Sequence, residues 1–182
     1  MNAKTIFLCA GHGGNDQGVA VGQNVEGQLA VQLRDSVAKL LKARGYSVLR
    51  DGIDGQNLPL ADAIKMIKGA NGVKVDIHFN ASSNKDATGI EALAHPSEKK
   101  LAQSLCKALA LATGLKLRGE SGYKSASSGQ HSRLGFCDAG GVVLEVCFLT
   151  NPADFEAYKS AFNGVSEALA NALALAAQGK GV

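Results

Sequence analysis

The 182-residue sequence has no block of like charge: its 19 basic and 16 acidic residues are scattered, and the basic ones do not interleave with aromatics, which make up 5% of the chain. That excludes nucleic acid as a partner, because such proteins carry a clustered basic footprint. The net charge of +3 leaves only a mild attraction toward an anionic polymer such as a cell wall or a membrane surface. The four cysteines (Cys9, Cys106, Cys137, Cys147) include no C-x-x-C pair, and three lie in apolar runs, so they read as buried free thiols rather than a disulfide framework. No stretch reaches the roughly 18 apolar residues of a membrane span, which excludes stable membrane insertion. The apolar run in "MNAKTIFLCAGHGG" is too short for a signal-peptide core, so synthesis and folding in the cytoplasm are expected. No internal repeat and no Pro-rich linker divide the chain. A hydrophobic share of 46% against 19% charged residues is enough for one packed core.

Strands and helices alternate along what remains. "TIFLCA" predicts a short buried strand ending at Gly11. From there, Val25, Leu29, Leu33, Val37, Leu40 and Leu41 recur at helical spacing, with Gly45 as a stop. "YSVLR" predicts a second strand, and a helix opens at Pro59 with Leu60, Ile64 and Ile67 on its buried face. "VKVDIHFNA" and "GIEALA" predict the third and fourth strands. Ser97 is placed to cap the next helix, whose stripe is Leu101, Leu105, Leu109 and Ala112, ending before Gly114. "KLRGESGYKSASSGQHSRLGFCDAGG" is long, weakly patterned and rich in Gly and Ser, as functional loops are. "VVLEVCFLT" predicts the last buried strand, after which Asn151-Pro152 caps a helical tail carrying Phe155, Tyr158, Val165, Leu169 and Leu173. The alternation predicts an α/β fold of one domain, a twisted and largely parallel sheet flanked by helices on both faces.

Four ionisable residues fall where such a fold makes them meaningful. His12 follows the first strand, Glu26 opens the first helix, and His78 and Glu145 lie near the ends of the third and last strands. Sites of open α/β sheets lie outside the carboxyl ends of the strands, so the four can converge on one rim. Two histidines and a glutamate are a recurrent catalytic zinc set with one position left for water, and the remaining glutamate would then act as general base. That inventory suits metal-assisted amide hydrolysis. Simpler readings stand beside it: His12 as a turn residue bonded to backbone, and Glu26 as a first-turn acid complementing the helix dipole. His78 in "VDIHFN" and Glu145 in "VVLEVCFL" interrupt apolar strands, where an ionisable group is costly unless paired or metal-bound. "GHGGNDQG" is neither G-x-G-x-x-G nor a lysine-bearing phosphate loop, which argues against a nucleotide site.

"AGHGGNDQG", a glutamate at the head of the following helix, "DIHFNA" and "LEVCFLTN" together resemble the N-acetylmuramoyl-L-alanine amidases of the amidase_3 type, zinc enzymes of peptidoglycan breakdown. The likeness runs in order from Ile6 to about Asn151. It implies that His12, Glu26 and His78 hold one zinc ion and that Glu145 is the catalytic glutamate. The implied reaction is hydrolysis of the amide between N-acetylmuramic acid and the first L-alanine of a peptidoglycan stem peptide. Asn80, in the matched "HFNA", is implied to orient the site or the substrate. Two positions depart from the pattern. Cys9 stands where the family commonly has an aspartate, so support from that carboxylate must be absent or supplied elsewhere. "AIKMIKGAN" also lacks the arginine usual ahead of the third strand.

Residues 1–178 are therefore expected to be an amidase_3-like catalytic domain, with 179–182 a frayed tail, acting as a monomer. Outside the matched motifs, His131 and Arg133 lie in the long loop, where solvated positions are the default reading; the alternative is that they face the substrate, with Arg133 pairing a stem-peptide carboxylate. His95, before Pro96, reads as a surface residue. The compact form resembles phage lysis enzymes, which implies release to the wall through a holin-type pore; an exported effector or a fragment of a larger protein is the other reading. The alternatives are a non-catalytic peptidoglycan-binding module of the same fold, or a zinc hydrolase of a different amide.

Overall fold

A computed structural model describes residues 3–128 and 134–180. The elements run β1 (Thr5–Ala10), β2 (Ala20–Val21), β3 (Asn24–Val25), α1 (Glu26–Ala43), β4 (Val48–Arg50), α2 (Leu60–Ile67), β5 (Gly72–Asn80), β6 (Glu91–Ala94), α3 (Lys99–Thr113), β7 (Tyr123–Ser125), α4 (Gly135–Asp138), β8 (Val142–Phe148), α5 (Pro152–Ser160) and α6 (Phe162–Ala177). Six strands form one sheet in the order β4-β1-β5-β8-β6-β7. The first four are parallel, as the alternation predicted, whereas β6 pairs antiparallel with β8 and β7 follows β6. A parallel return needs a crossover such as a helix, and the segment between β5 and β6 contains none.

Side-chain alternation gives the sheet two different faces. Ile6, Leu8, Val75, Ile77, Leu144 and Val146 face a large apolar layer formed with α1, α3, α5 and α6. Phe7, Cys9 and Val143 face a smaller cluster with Ala63, Ile67, Phe136 and Cys137, covered only by α2 and the short α4. The thin cover leaves the carboxyl ends of β1, β5 and β8 open on that side. All four cysteines are free and buried, as their apolar settings implied.

Several local expectations are corrected. Leu60 is 54% exposed because the first turn of α2 overhangs the cleft; Ala63 and Ile67 carry the burial. Ser97 caps nothing: it lies in a single 3-10 turn at Pro96–Glu98, and α3 begins after Glu98 with no side-chain cap. The C-terminal helical stretch is two helices broken at Ala161, with Asn151 Oδ1 capping α5 through the N–H groups of Ala153 and Asp154. The weakly patterned region holds β7 and α4. Gly179 and Lys180 still donate to the carbonyls of Ala176 and Leu175, while 181–182 lie outside the described residues. No helix among the described residues is long and apolar enough to cross a membrane.

Candidate metal centre

Strand register sets the site. Cys9, Asp76 and Val143 form one row across β1, β5 and β8; His78, Glu145 and Glu91 form the next across β5, β8 and β6. Residues two apart on a strand share a face, so both rows project from the thinly covered side. Beyond the end of β1, Gly11 lies beside His78, and a Cβ there would collide with the imidazole ring.

His12 comes next and has a φ of 63°, in the left-handed region that a side chain rarely adopts. That conformation costs about 1–2 kcal/mol and has to be held from outside. The Asn57 side-chain amide does so, facing the carbonyls of Ala10, Gly11 and His12. On the other side, both oxygens of fully buried Asp51 accept from Ala10 N–H at 3.2 and 3.1 Å, and buried Arg34 donates to Asp51 at 2.7 Å. The chain then passes through Gly18, at φ +68°, where a Cβ would sit 2.6 Å from His12 Cδ2 and 2.7 Å from Glu26 Oε2. The short β2–β3 hairpin delivers Glu26 as the first residue of α1.

Glu26 is 3% exposed and turned into the site, so complementing the helix dipole does not exhaust its role. Its Oε1 lies 3.1 Å from His12 Nε2 and 3.2 Å from His78 Nδ1, and it also accepts from Phe79 N–H at 3.0 Å. Its Oε2 accepts from Val19 N–H at 3.0 Å. Burial opposes ionisation of Glu26, but the bonds from His12 and His78, the charge of His78 and the Val19 N–H outweigh it and hold the carboxyl far below its usual range. His12 binds its proton more tightly than usual, chiefly through Glu26 and, after the opposing cost of burial, through Asp16, whose Oδ2 is 2.9 Å from Nδ1. His78 is held well above its usual value: burial opposes its charge, but the field and hydrogen bond of Asp76, then Glu26, prevail. The two imidazoles stand edge to face with centroids 4.9 Å apart.

One donor atom from each of His12, Glu26 and His78 lies within 4.8 Å of the others. Two ligands about 2.0–2.1 Å from a common tetrahedral centre are roughly 3.3 Å apart, close to the two His–Glu separations here, so the donor set fits zinc. Asp76 Oδ2 lies 3.2 Å from His78 Nε2, the ring nitrogen turned away from Glu26. The sequence reading missed Asp76, although its D-x-H spacing on a strand was the available signal.

Glu145 faces the same space. One of its oxygens is buried with no hydrogen-bond partner, and burial, reinforced by the charges of Glu26 and Glu91, pushes its carboxyl up to about 7 against the pull of His78. All four residues line one cleft of about 1140 Å³ with Leu58, Pro59 and Leu60 along one wall and Arg118, Lys124 and Phe148 along the other. Asn80 also lines it, with its side chain engaged: Nδ2 donates to Glu91 at 2.9 Å and Oδ1 accepts from Ala81 N–H at 2.8 Å. His95 pairs with Asp138 at the surface. His131 and Arg133 lie outside the described residues.

The family model described as N-acetylmuramoyl-L-alanine amidase, Amidase_3, matches residues 6–176. A crystal structure from Neisseria meningitidis assigned as an N-acetylmuramoyl-L-alanine amidase is 44% identical, with a TM-score of 0.86 and 95% of each chain covered. The catalytic domain of the amidase CwlV from Bacillus (Paenibacillus) polymyxa var. colistinus is 28% identical, with a TM-score of 0.77 over 93% of this chain and 95% of that one. An N-acetylmuramoyl-L-alanine amidase from Clostridium difficile, 23% identical with a TM-score of 0.79 over 94% and 95% of the two chains, shares the fold. No curated protein is matched. With the match spanning nearly the whole chain, the protein belongs to the Amidase_3 family of N-acetylmuramoyl-L-alanine amidases.

Proposed function

We propose that this protein is a zinc-dependent amidase that cleaves the bond between N-acetylmuramic acid and L-alanine in peptidoglycan stem peptides. His12, Glu26 and His78 hold one zinc ion, and Glu145 is the general base. The observation that carries the assignment is the partnerless buried oxygen of Glu145, set in register beside His78 and facing the three-donor cluster. A buried acceptor without a donor is costly, and in a cleft beside a metal-ligating cluster that cost fits a catalytic group.

Bound zinc supplies a Lewis acid that polarises the amide carbonyl and lowers the pKa of water. Glu145 takes a proton from the attacking water at its free oxygen, and burial beside Glu26 and Glu91 raises its affinity for that proton. The same carboxyl returns the proton to the leaving nitrogen. A C–O bond forms, the C–N bond breaks, and the products are a lactyl carboxylate and a peptide with a free L-alanine amino group. Glu26, fixed by the Val19 and Phe79 N–H groups, and His78, fixed by Asp76, would present their donor atoms to the ion.

Purified protein incubated with peptidoglycan should release peptides beginning with free L-alanine, and a chelator should stop the release. Soluble sugars with peptides still attached would overturn the reading. Bound zinc should be one ion per chain, lost in His78→Ala. Host-cell lysis is the proposed setting: co-expression with a holin-type pore protein should lyse the cell, and expression without it should not.

A further inference from the structure

The wall of the cleft away from α2 carries a feature that the hydrolytic chemistry does not use. Glu91, in register with Glu145, is 7% exposed at its side chain and accepts from two cations on one oxygen: Arg118 through Nε, and Lys124 Nζ at 2.9 Å. Its other oxygen is taken by Asn80. Two positive charges on one carboxylate leave a surplus of one.

Both cations are 30% exposed at their side chains and line the cleft. Arg118 is fixed: Nη1 donates to Thr88 O at 3.2 Å, and the guanidinium lies 4.8 Å from the Phe148 ring centroid. Its Nη2 makes no hydrogen bond among the described residues. A guanidinium held in one orientation with Nη2 open is suited to a second carboxylate, and little side-chain entropy remains to be lost on binding.

The spacing says which carboxylate. His78, Glu145 and Glu91 sit on three adjacent strands, so Glu91, which holds both cations, is set about 10 Å from the metal-side histidine at roughly 4.8 Å per strand. An extended peptide advances about 3.4 Å per residue. With the reacting amide at the metal centre, two residues of extended chain cover about 7 Å and a hydrogen bond about 3 Å more, which brings a carboxylate on the residue after L-alanine to the cations.

We propose that Arg118 and Lys124 form a carboxylate-binding subsite that takes the acidic second residue of the stem peptide; this rests on the amidase reading above. The probes are two N-acetylmuramoyl tripeptides that differ only in whether the α-carboxyl of the second residue is free or amidated. Calorimetry on zinc-loaded Glu145→Gln protein should give a Kd about tenfold lower for the free acid, the scale of one charge-assisted hydrogen bond. Lys124→Gln, which leaves Arg118 to balance Glu91, should bring the ratio of the two Kd values near one, as should Arg118→Gln. Equal affinities, binding of neither peptide, or a ratio unchanged in Lys124→Gln overturns the subsite. Failure of the wild-type enzyme to hydrolyse either peptide overturns the amidase reading instead, and the Kd ratio is read independently of it.

Discussion

Asp76 stands opposite Cys9 across the β1–β5 ladder, with its Oδ2 3.2 Å from Nε2 of His78. The carboxylate that the family resemblance places at position 9 is thus replaced by a fully buried thiol, and the adjacent strand presents a carboxylate to His78 at the same level of the sheet. Register partners on neighbouring strands are only about 4.8 Å apart, close enough for one to do the other's work. The thiol itself is driven by burial far above its usual titration range, so it offers neither charge nor a thiolate ligand.

Asp76→Asn should therefore weaken zinc binding about 10- to 100-fold, the usual cost of losing a carboxylate behind a metal-bound histidine. Competition with a chromophoric chelator measures this without reference to activity. Returning the carboxylate to its other place, in Cys9→Asp combined with Asp76→Ala, should recover part of the loss that Asp76→Ala alone produces. Equal zinc affinity in Asp76→Asn and wild type would show that the carboxylate does not orient His78.

Replacing Glu145 should separate chemistry from metal binding. Glu145→Gln should keep one zinc and lose about 100-fold or more in hydrolysis. The same change should alter stability with pH in metal-free protein. Folding raises the Glu145 carboxyl from 4.5 to about 7. Between those values the native state holds a proton that the unfolded chain has released, so wild-type stability falls as pH rises through this window. Metal-free Glu145→Gln should then be the more stable protein above pH 7, by on the order of 2 kcal/mol since the cleft admits some water, with the gap closing toward pH 4.5. Denaturant melts at pH 4.5 and 8 check the sign.

The parts of the fold that bury large apolar surface were legible in the sequence, and the parts fixed by single contacts were not. β1 and β8 are nearly continuous apolar runs, β5 alternates apolar with polar residues, and α1 and α3 carry clear stripes, so the parallel half of the sheet follows from periodicity. His78 and Glu145 stood out because they interrupt such runs. β7 has three residues and owes its existence to pairing with β6, which no local pattern encodes. Glu91 read as an ordinary polar position of an alternating strand, and Arg118 and Lys124 as loop residues. Their meeting depends on the reversed direction of β6, which is set by the missing crossover helix rather than by composition.

Glu91 should also tune the pH profile. Its charge is one of the influences that raise Glu145. Glu91→Gln removes that charge and frees the two cations beside it, and both effects favour ionised Glu145. The acid limb of kcat/KM, which reports the free enzyme's base, should move to lower pH in this variant. Zinc lowers the limb in both proteins, so the comparison between them carries the sign. A limb that stays in place or moves upward would show that Glu145 is not the titrating base.

The turn that presents His12 should tolerate no side chain at Gly11. A methyl group there meets the His78 imidazole, which is held by Asp76 at Nε2 and by Glu26 at Nδ1, so a ring that moves aside strains both contacts. Gly11 has no left-handed φ, so backbone strain is not the cause, unlike at Gly18. Gly11→Ala should fold, because the clash falls at the open rim of the sheet and not within either apolar cluster. It should nevertheless lose zinc affinity by at least as much as Asp76→Asn. A folded Gly11→Ala protein with wild-type zinc affinity would mean that His78 does not occupy this position in the metal-bound enzyme.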